Sequence, residues 1–528
     1  MTQTFPGPGP GPRPAARRGV LAVDEGTTGT RAGLVLDDGT AGEVFYRPIA
    51  VSHPDGLSVE QDPREIWTAT LDVCRQALAD ARARHIEPTA VALSTQRATA
   101  ILWDRRTGDP LVPAVVWQDR RYAQDLRAYE ADWDAVLTRR TGRPVGSRSP
   151  FYWAARQIAE HPAVAAAYRE GRLLFGTVDT WLIWQLTGGA VHATSATNAN
   201  PTGGYLLREH AWDEEWIAHL GFPLELLPEL LSDDGVHGVT DPDLLGAPLP
   251  VAATMGDQHA ALIALGGLTA GAGMCMYGTG AFVDVATGDR PALPRPGIEG
   301  VLAQPGWRQG GTTEFSLEAY TSTTGSALRW LCDDLGFFTS PAEIGELAQQ
   351  AARSRTAQPA SDGGGRAAWF VPALAGVRTP AWRPEATAAL GGLTLATSRA
   401  DLARAVIDGI AHSVCDLIDG VSDTMRAPFR QLRVGGGVSG SEALMRSQAD
   451  LTGLPLERVA DSATASLRGT AYLAGVRQGL WSSLTEVVEA QPRGQVFEPA
   501  LPETDRAERR AAWQALLARH LRDPHDSP

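Results

Sequence analysis

Two short glycine–threonine loops constrain this chain more than any other feature. Asp24-Glu25-Gly26-Thr27-Thr28-Gly29-Thr30 lies between the apolar stretches 19–23 and 32–36, and Tyr277-Gly278-Thr279-Gly280-Ala281 lies between 274–277 and 282–285. An apolar strand, a tight polar turn and a second strand therefore recur once in each half. Glycine lets backbone approach a ligand closely, successive turn N–H groups form a concavity for anions, and threonine hydroxyls add donors. One such turn is an ordinary hairpin. The repetition, with an acid opening the first turn, predicts a phosphate clamp between two domains.

At 528 residues the chain exceeds one ordinary core, so two large domains are expected. A net charge of −14 argues against a nucleic-acid partner. All 47 basic residues are arginine. Without lysine there is no Gly-Lys-Ser/Thr phosphate loop, no protein-kinase lysine and no pyridoxal Schiff base. Phosphates would fall to backbone N–H groups, hydroxyls, arginine and a metal. Cys74, Cys275, Cys332 and Cys415 have no paired spacing. They fit neither a disulfide framework nor a zinc site and point to a reducing cytoplasm. No stretch reaches the ~18 apolar residues of a membrane span. Residues 1–17 carry a Pro/Gly repeat and are predicted to be a disordered tail, not a signal peptide.

Beyond the tail, strands, helices and loops alternate, which predicts an α/β architecture. A β-rich opening covers 20–51. A helix then starts at Asp62 with Pro63 in its first turn and Glu65 placed to reach back to the cap. A strand over 90–93 runs into Ser94-Thr95-Gln96-Arg97, and another strand-loop unit covers 114–121. The second half starts near 256–267. Ser398 and Asp401 form a capping box ahead of the stripe Leu402, Val406, Ile410, Val414, Ile418. Ser361–Gly365 reads as a surface loop, and an amphipathic helix over 505–521 closes the chain.

Several constellations could carry chemistry. Asp24, beside a phosphate loop, can hold Mg²⁺ directly or through water, or can simply shape a turn. Glu25 next to it adds negative charge near a phosphate chain. Asp257, in the polar run Gly256-Asp257-Gln258-His259, could accept a proton from an attacking hydroxyl or cap a helix. Gln96 and Arg97 follow a strand directly, where α/β sheets place ligand groups. Trp117 could pack on the carbon face of a polyol, whereas Arg120 and Arg121 read equally as a surface salt-bridge cluster. Gly435-Gly436-Gly437 could admit a flat base, and Ser441 could bond that base or cap a helix.

Taken together, 24–31, 94–97, 116–121, 176–184, 256–258, 277–280, 370–373 and 471–475 resemble the FGGY carbohydrate kinases, and within them the glycerol kinase branch. The resemblance implies two actin-like ATPase (ribonuclease H-like) domains, 18–263 and 264–505, closing on a cleft for ATP·Mg²⁺ and a small polyol or sugar, with 506–528 as a C-terminal helix and tail. It implies Asp257 as the catalytic base and Asp24 as the metal-associated acid. Thr27, Thr28, Gly278 and Thr279 would contact phosphate, and Gly437 and Ser441 the adenosine. Arg97, Asp257 and Gln258 would bind acceptor hydroxyls. Glycerol is the best single acceptor; another polyol, a ketopentose, a sugar acid, or a catalytically silent nucleotide-binding regulator are the alternatives. A homo-oligomer is compatible with this reading. Four departures stand out. Ala98 replaces a glutamate after Arg97, and Arg148 stands where a tyrosine is expected. Gly435 opens a run that commonly begins with aspartate, and Arg468 interrupts a small-residue stretch.

Overall fold

The computed structural model describes residues 17–295, 297–356 and 368–521. The Pro/Gly tail before Arg17, the loop Ser361–Gly365 and the last seven residues lie outside the described residues.

The first sheet is built from β1 (Arg17–Gly26), β2 (Gly29–Leu36), β3 (Ala41–Pro48), β4 (Ile86–Thr95) and β5 (Val251–Gly256), in the spatial order β5-β4-β1-β2-β3. β1, β2 and β3 pair antiparallel, while β4 joins β1 and β5 joins β4, both in parallel. The second sheet contains β6 (Ala272–Tyr277), β7 (Ala281–Gly288), β8 (Val301–Gln309), β9 (Thr312–Thr321), β10 (Gln431–Gly435), β11 (Leu456–Arg458) and β12 (Gln495–Phe497). Its order is β8-β9-β7-β6-β10-β11-β12, again with an antiparallel opening and parallel β6-β10-β11. The two sheets share one plan: an antiparallel hairpin opens each, and each Gly-Thr loop is the turn of that hairpin.

Helix α1 (Pro63–Ala83) covers one face of the first sheet. Asp62 caps it through Arg64 N, as expected, but Glu65 does not close a capping box. Its carboxylate accepts from Ala50 N at 3.2 Å and ties the helix to the chain after β3. The other face is covered by α2 (Asp257–Ala264) and α3 (Ala465–Arg477), which share a buried cluster with Val20, Ala22 and Ala92. The two helices touch so closely that a Cβ on Gly469 would lie 1.8 Å from the Ala260 carbonyl oxygen. Arg468, beside it, is buried and reaches the Tyr472 hydroxyl at 3.3 Å.

In the second half, a helix over Arg399–Met425 carries the predicted capping box and buries Val406, Ile410, Val414 and Ile418. The closing helix, Glu503–His520, docks on it through Arg510, which meets Asp416 at 2.6 Å, and through Trp513, stacked on His412. No helix among the described residues is long and apolar enough to cross a membrane. All four cysteines are free and buried.

Candidate active site

Both loops need glycine for close contact, not for a left-handed backbone. A Cβ on Gly29 would lie 2.4 Å from the Tyr46 ring, and one on Gly280 would lie 2.1 Å from the Thr321 carbonyl oxygen. Elsewhere the space is open: a Cβ on Gly278 would meet nothing closer than 3.9 Å, and one on Gly437 nothing within 4 Å. Gly278 and Thr279 are exposed, as is Thr28. The second loop is clamped from below, since Thr324 N and Ser326 N each donate to the Thr279 carbonyl at 3.0 Å. Arg329 reaches the Thr279 hydroxyl at 3.3 Å.

The first loop is locked by a closed ring of hydrogen bonds. Gln61 Nε2 donates to the Thr27 carbonyl at 2.7 Å, and Gln96 Nε2 donates to Gln61 Oε1 at 3.0 Å. Thr99 donates to Gln96 Oε1 at 2.9 Å and accepts from Trp117 N at 3.2 Å. The Trp117 indole then returns to the Thr27 hydroxyl at 2.8 Å. Trp117 thus braces the first Gly-Thr loop through its N–H edge. A fully paired buried network of this kind rigidifies what it touches.

Asp24 lies near the end of β1, with Ser94 donating to it at 3.3 Å and Arg31 3.8 Å away. Burial pushes its carboxyl up to about 6; Arg31 opposes this shift and the charge of Asp257 adds to it. Asp257 opens α2 and accepts from Gln258 N at 2.8 Å. Its carboxylate is 3.3 Å from Arg97 Nε, and burial raises its pKa above the ordinary carboxylate value while Arg97 holds it down. Gln258 Oε1 is buried with no protein partner among the described residues. Asp257 thus lifts the pKa of Asp24, and both carboxylates stand with open glycine backbone of the kind that can receive cations and phosphate.

The second half supplies the rest of this wall. Arg97 Nη2 meets Glu318 at 2.7 Å, and Arg97 Nη1 reaches Gln304 at 3.5 Å. Gln304 donates onward to Asp284 at 3.1 Å, and Phe282 stacks on Tyr320. Asp284 faces Glu318 across β7 and β9, and burial drives its carboxyl well above the usual range. One arginine thus joins Asp257 on the first half to two strands of the second.

Residues 19–264 match the N-terminal domain of the FGGY family of carbohydrate kinases, and residues 273–477 match its C-terminal domain. The chain belongs to the FGGY family of carbohydrate kinases. It is 36% identical to the glycerol kinase of Symbiobacterium thermophilum over 504 residues, covering 95% of this chain and 98% of that one. It is 37% identical to the Thermus brockianus glycerol kinase, with the same coverage. Plasmodium falciparum glycerol kinase, solved with ADP, superposes with a TM-score of 0.87 at 24% identity, covering 96% of this chain and 99% of that one. As a carbohydrate kinase the chain uses ATP as co-substrate and a sugar or polyol as acceptor.

Within this FGGY kinase several of the residues singled out in the sequence have structural roles. Glu25 is not a charge at the phosphate chain. It is fully buried beneath the loop, accepts from Thr30 and from Thr70 at 3.1 Å, and is pushed by burial up to about 8. Ser441 caps the helix Glu442–Thr452 through Leu444 N. Arg121 pairs with Asp119 and Glu60, each at 2.8 Å, while Arg120 is exposed. Gln61, Thr99, Glu318 and Gln304 carried no local signal.

Glu25 yields a pH-dependent prediction. Its folded pKa lies above its unfolded one, so its stabilising contribution is complete below about 4.5 and is lost as pH rises through about 8. Glu25 Oε1 has no partner to lose. E25Q is expected to gain stability over wild type at pH 8.5 by on the order of 2 kcal/mol and to match it at pH 4. Urea denaturation at both pH values checks this; a gain of equal size at both would dismiss the titration argument.

Proposed function

We propose that this kinase transfers the γ-phosphoryl group of ATP to a hydroxyl of a small polyol, with glycerol the acceptor its relatives suggest. The observation that carries the reading is Asp257 paired with Arg97 at 3.3 Å beside the unpartnered Gln258 Oε1. An acceptor hydroxyl between them would donate to Asp257, and Gln258 would take a neighbouring hydroxyl. As the acceptor oxygen bonds to the γ-phosphorus, its proton passes to Asp257. The bond from that phosphorus to the bridging oxygen breaks, and its electrons leave with ADP. Thr27, Thr28, Gly278 and Thr279 would line the phosphates, and Gly437 and Ser441 the adenosine. Asp24, with its raised carboxyl, suits Mg²⁺, which would neutralise phosphate charge. The protein's own contribution is positioning and charge stabilisation.

Coupled ADP release with glycerol and a polyol and sugar panel tests the reading. Mg²⁺-dependent ADP formation that requires an acceptor is the expected result. ADP from none of the acceptors would favour a nucleotide-binding regulator.

A further inference from the structure

The acceptor side of the site holds more positive charge than its carboxylates answer. Arg97 is already shared between Asp257 at 3.3 Å and Glu318 at 2.7 Å. Asp284, the third carboxyl here, is driven well above the ordinary carboxylate range by burial, with the charge of Glu318 adding to it. Two more guanidiniums stand beside them. Arg143 is 9% exposed, donates from Nη2 to Asn200 at 2.9 Å, and keeps a buried Nε with no partner. Arg148 also has a buried, unpartnered Nε. Among the described residues neither has a carboxylate within ion-pair distance. Each feels the other or its neighbour Arg97, and both feel Glu318 and Tyr320. Arg378, over the Tyr320 ring at 4.4 Å, adds a further cation.

A pocket accompanies the charge. Arg148 lines it together with Ala98, Tyr122, Ser149, Trp153 and Asp119, whose carboxylate is taken by Arg121 at 2.8 Å. Ala98 brings only a methyl group to this wall. Burying cations without counter-charge is costly, and an arginine fork matches a planar carboxylate in two parallel hydrogen bonds. An uncharged triol would leave both forks unanswered.

Resting on the kinase reading above, we propose that the preferred acceptor is a polyhydroxy carboxylic acid, its carboxylate held by Arg148 and Arg143 while one of its hydroxyls meets Asp257. The phosphoryl transfer is unchanged. The carboxylate sets orientation and specificity.

Matched pairs test this: glycerol against glycerate, erythritol against erythronate, xylitol against xylonate, each by coupled ADP release with the full-length enzyme. In at least one pair kcat/KM for the acid should exceed that for its alcohol by about a hundredfold, the scale of one buried charge pair. R148Q should cut this acid-to-alcohol ratio at least tenfold, chiefly through KM for the acid, and R148K should restore part of it. A98E, which adds a carboxylate to the wall that Arg148 lines, should reverse the preference toward alcohols. The inference is overturned if every alcohol outperforms its acid, or if R148Q raises KM for ATP and leaves the ratio intact. If no member of the panel releases ADP, the kinase reading fails and the inference with it. If alcohols alone react, only the inference fails.

Discussion

D257N is expected to lower kcat by about a thousandfold, within the range for a lost general base, and to leave the Kd for ATP within about threefold. Asparagine keeps the shape of the side chain and can still accept from Arg97, which stands 3.3 Å from the present carboxylate. It cannot take a proton from the acceptor hydroxyl. Asp257 must also be ionised to act. Its pKa lies above the ordinary value because of burial, so wild-type kcat/KM should fall as pH drops through that raised pKa. The variant's residual rate should lose that acidic limb. ADP release across pH 5–9 and ATP titration by calorimetry check both parts. Turnover near the wild-type level would remove Asp257 from the chemistry.

The second large effect is structural and catalytic together. R97M is expected to destabilise the protein by about 3–5 kcal/mol at pH 8, the cost of stripping the cation from a buried charge cluster. Arg97 is 12% exposed at its side chain and Glu318 4%, so water gives little compensation. Arg97 now lowers the pKa of both Asp257 and Asp284. Without it their folded pKa values rise further above the unfolded value. The stabilising contribution of such groups is complete below the unfolded pKa and is lost as pH rises through the folded one. The deficit of R97M should therefore widen from pH 5 to pH 8, and the acidic limb of its residual activity should move to higher pH. Urea denaturation at the two pH values is the check. An equal loss at both would assign the effect to packing.

What the sequence revealed here is what short-range chemistry controls. The Gly-Thr turns, the Asp62 cap, the Ser398–Asp401 box, the placement of Arg97 after a strand and the polar run around Asp257 all depend on neighbours a few residues apart. The clamp on Asp257 does not. Gln304 lies 207 residues beyond Arg97, and neither it nor Glu318 differs in sequence from any strand residue. Gln61 is joined to Thr27 across 34 residues by an ordinary-looking side chain. Helix α3 lacked an apolar stripe for a simple reason: residues 467–475 are buried on all sides. Glu25 misled because sequence gives a carboxylate but not its depth, and at full burial it serves as a neutral strut.

The contact of α3 with α2 has a consequence for how the chain is made. The first sheet is complete in strands once Gly256 has been added, yet the helix that covers much of its apolar face spans Ala465–Arg477 and fits only through Gly469 against Ala260. On the ribosome, the earlier half would emerge with Val20, Ala22, Ala92 and their neighbours unroofed, and would wait some two hundred residues for its cover. Maturation of the first half therefore depends on completion of the second. The enzyme cannot be separated at the midpoint into halves that each bury their own surface.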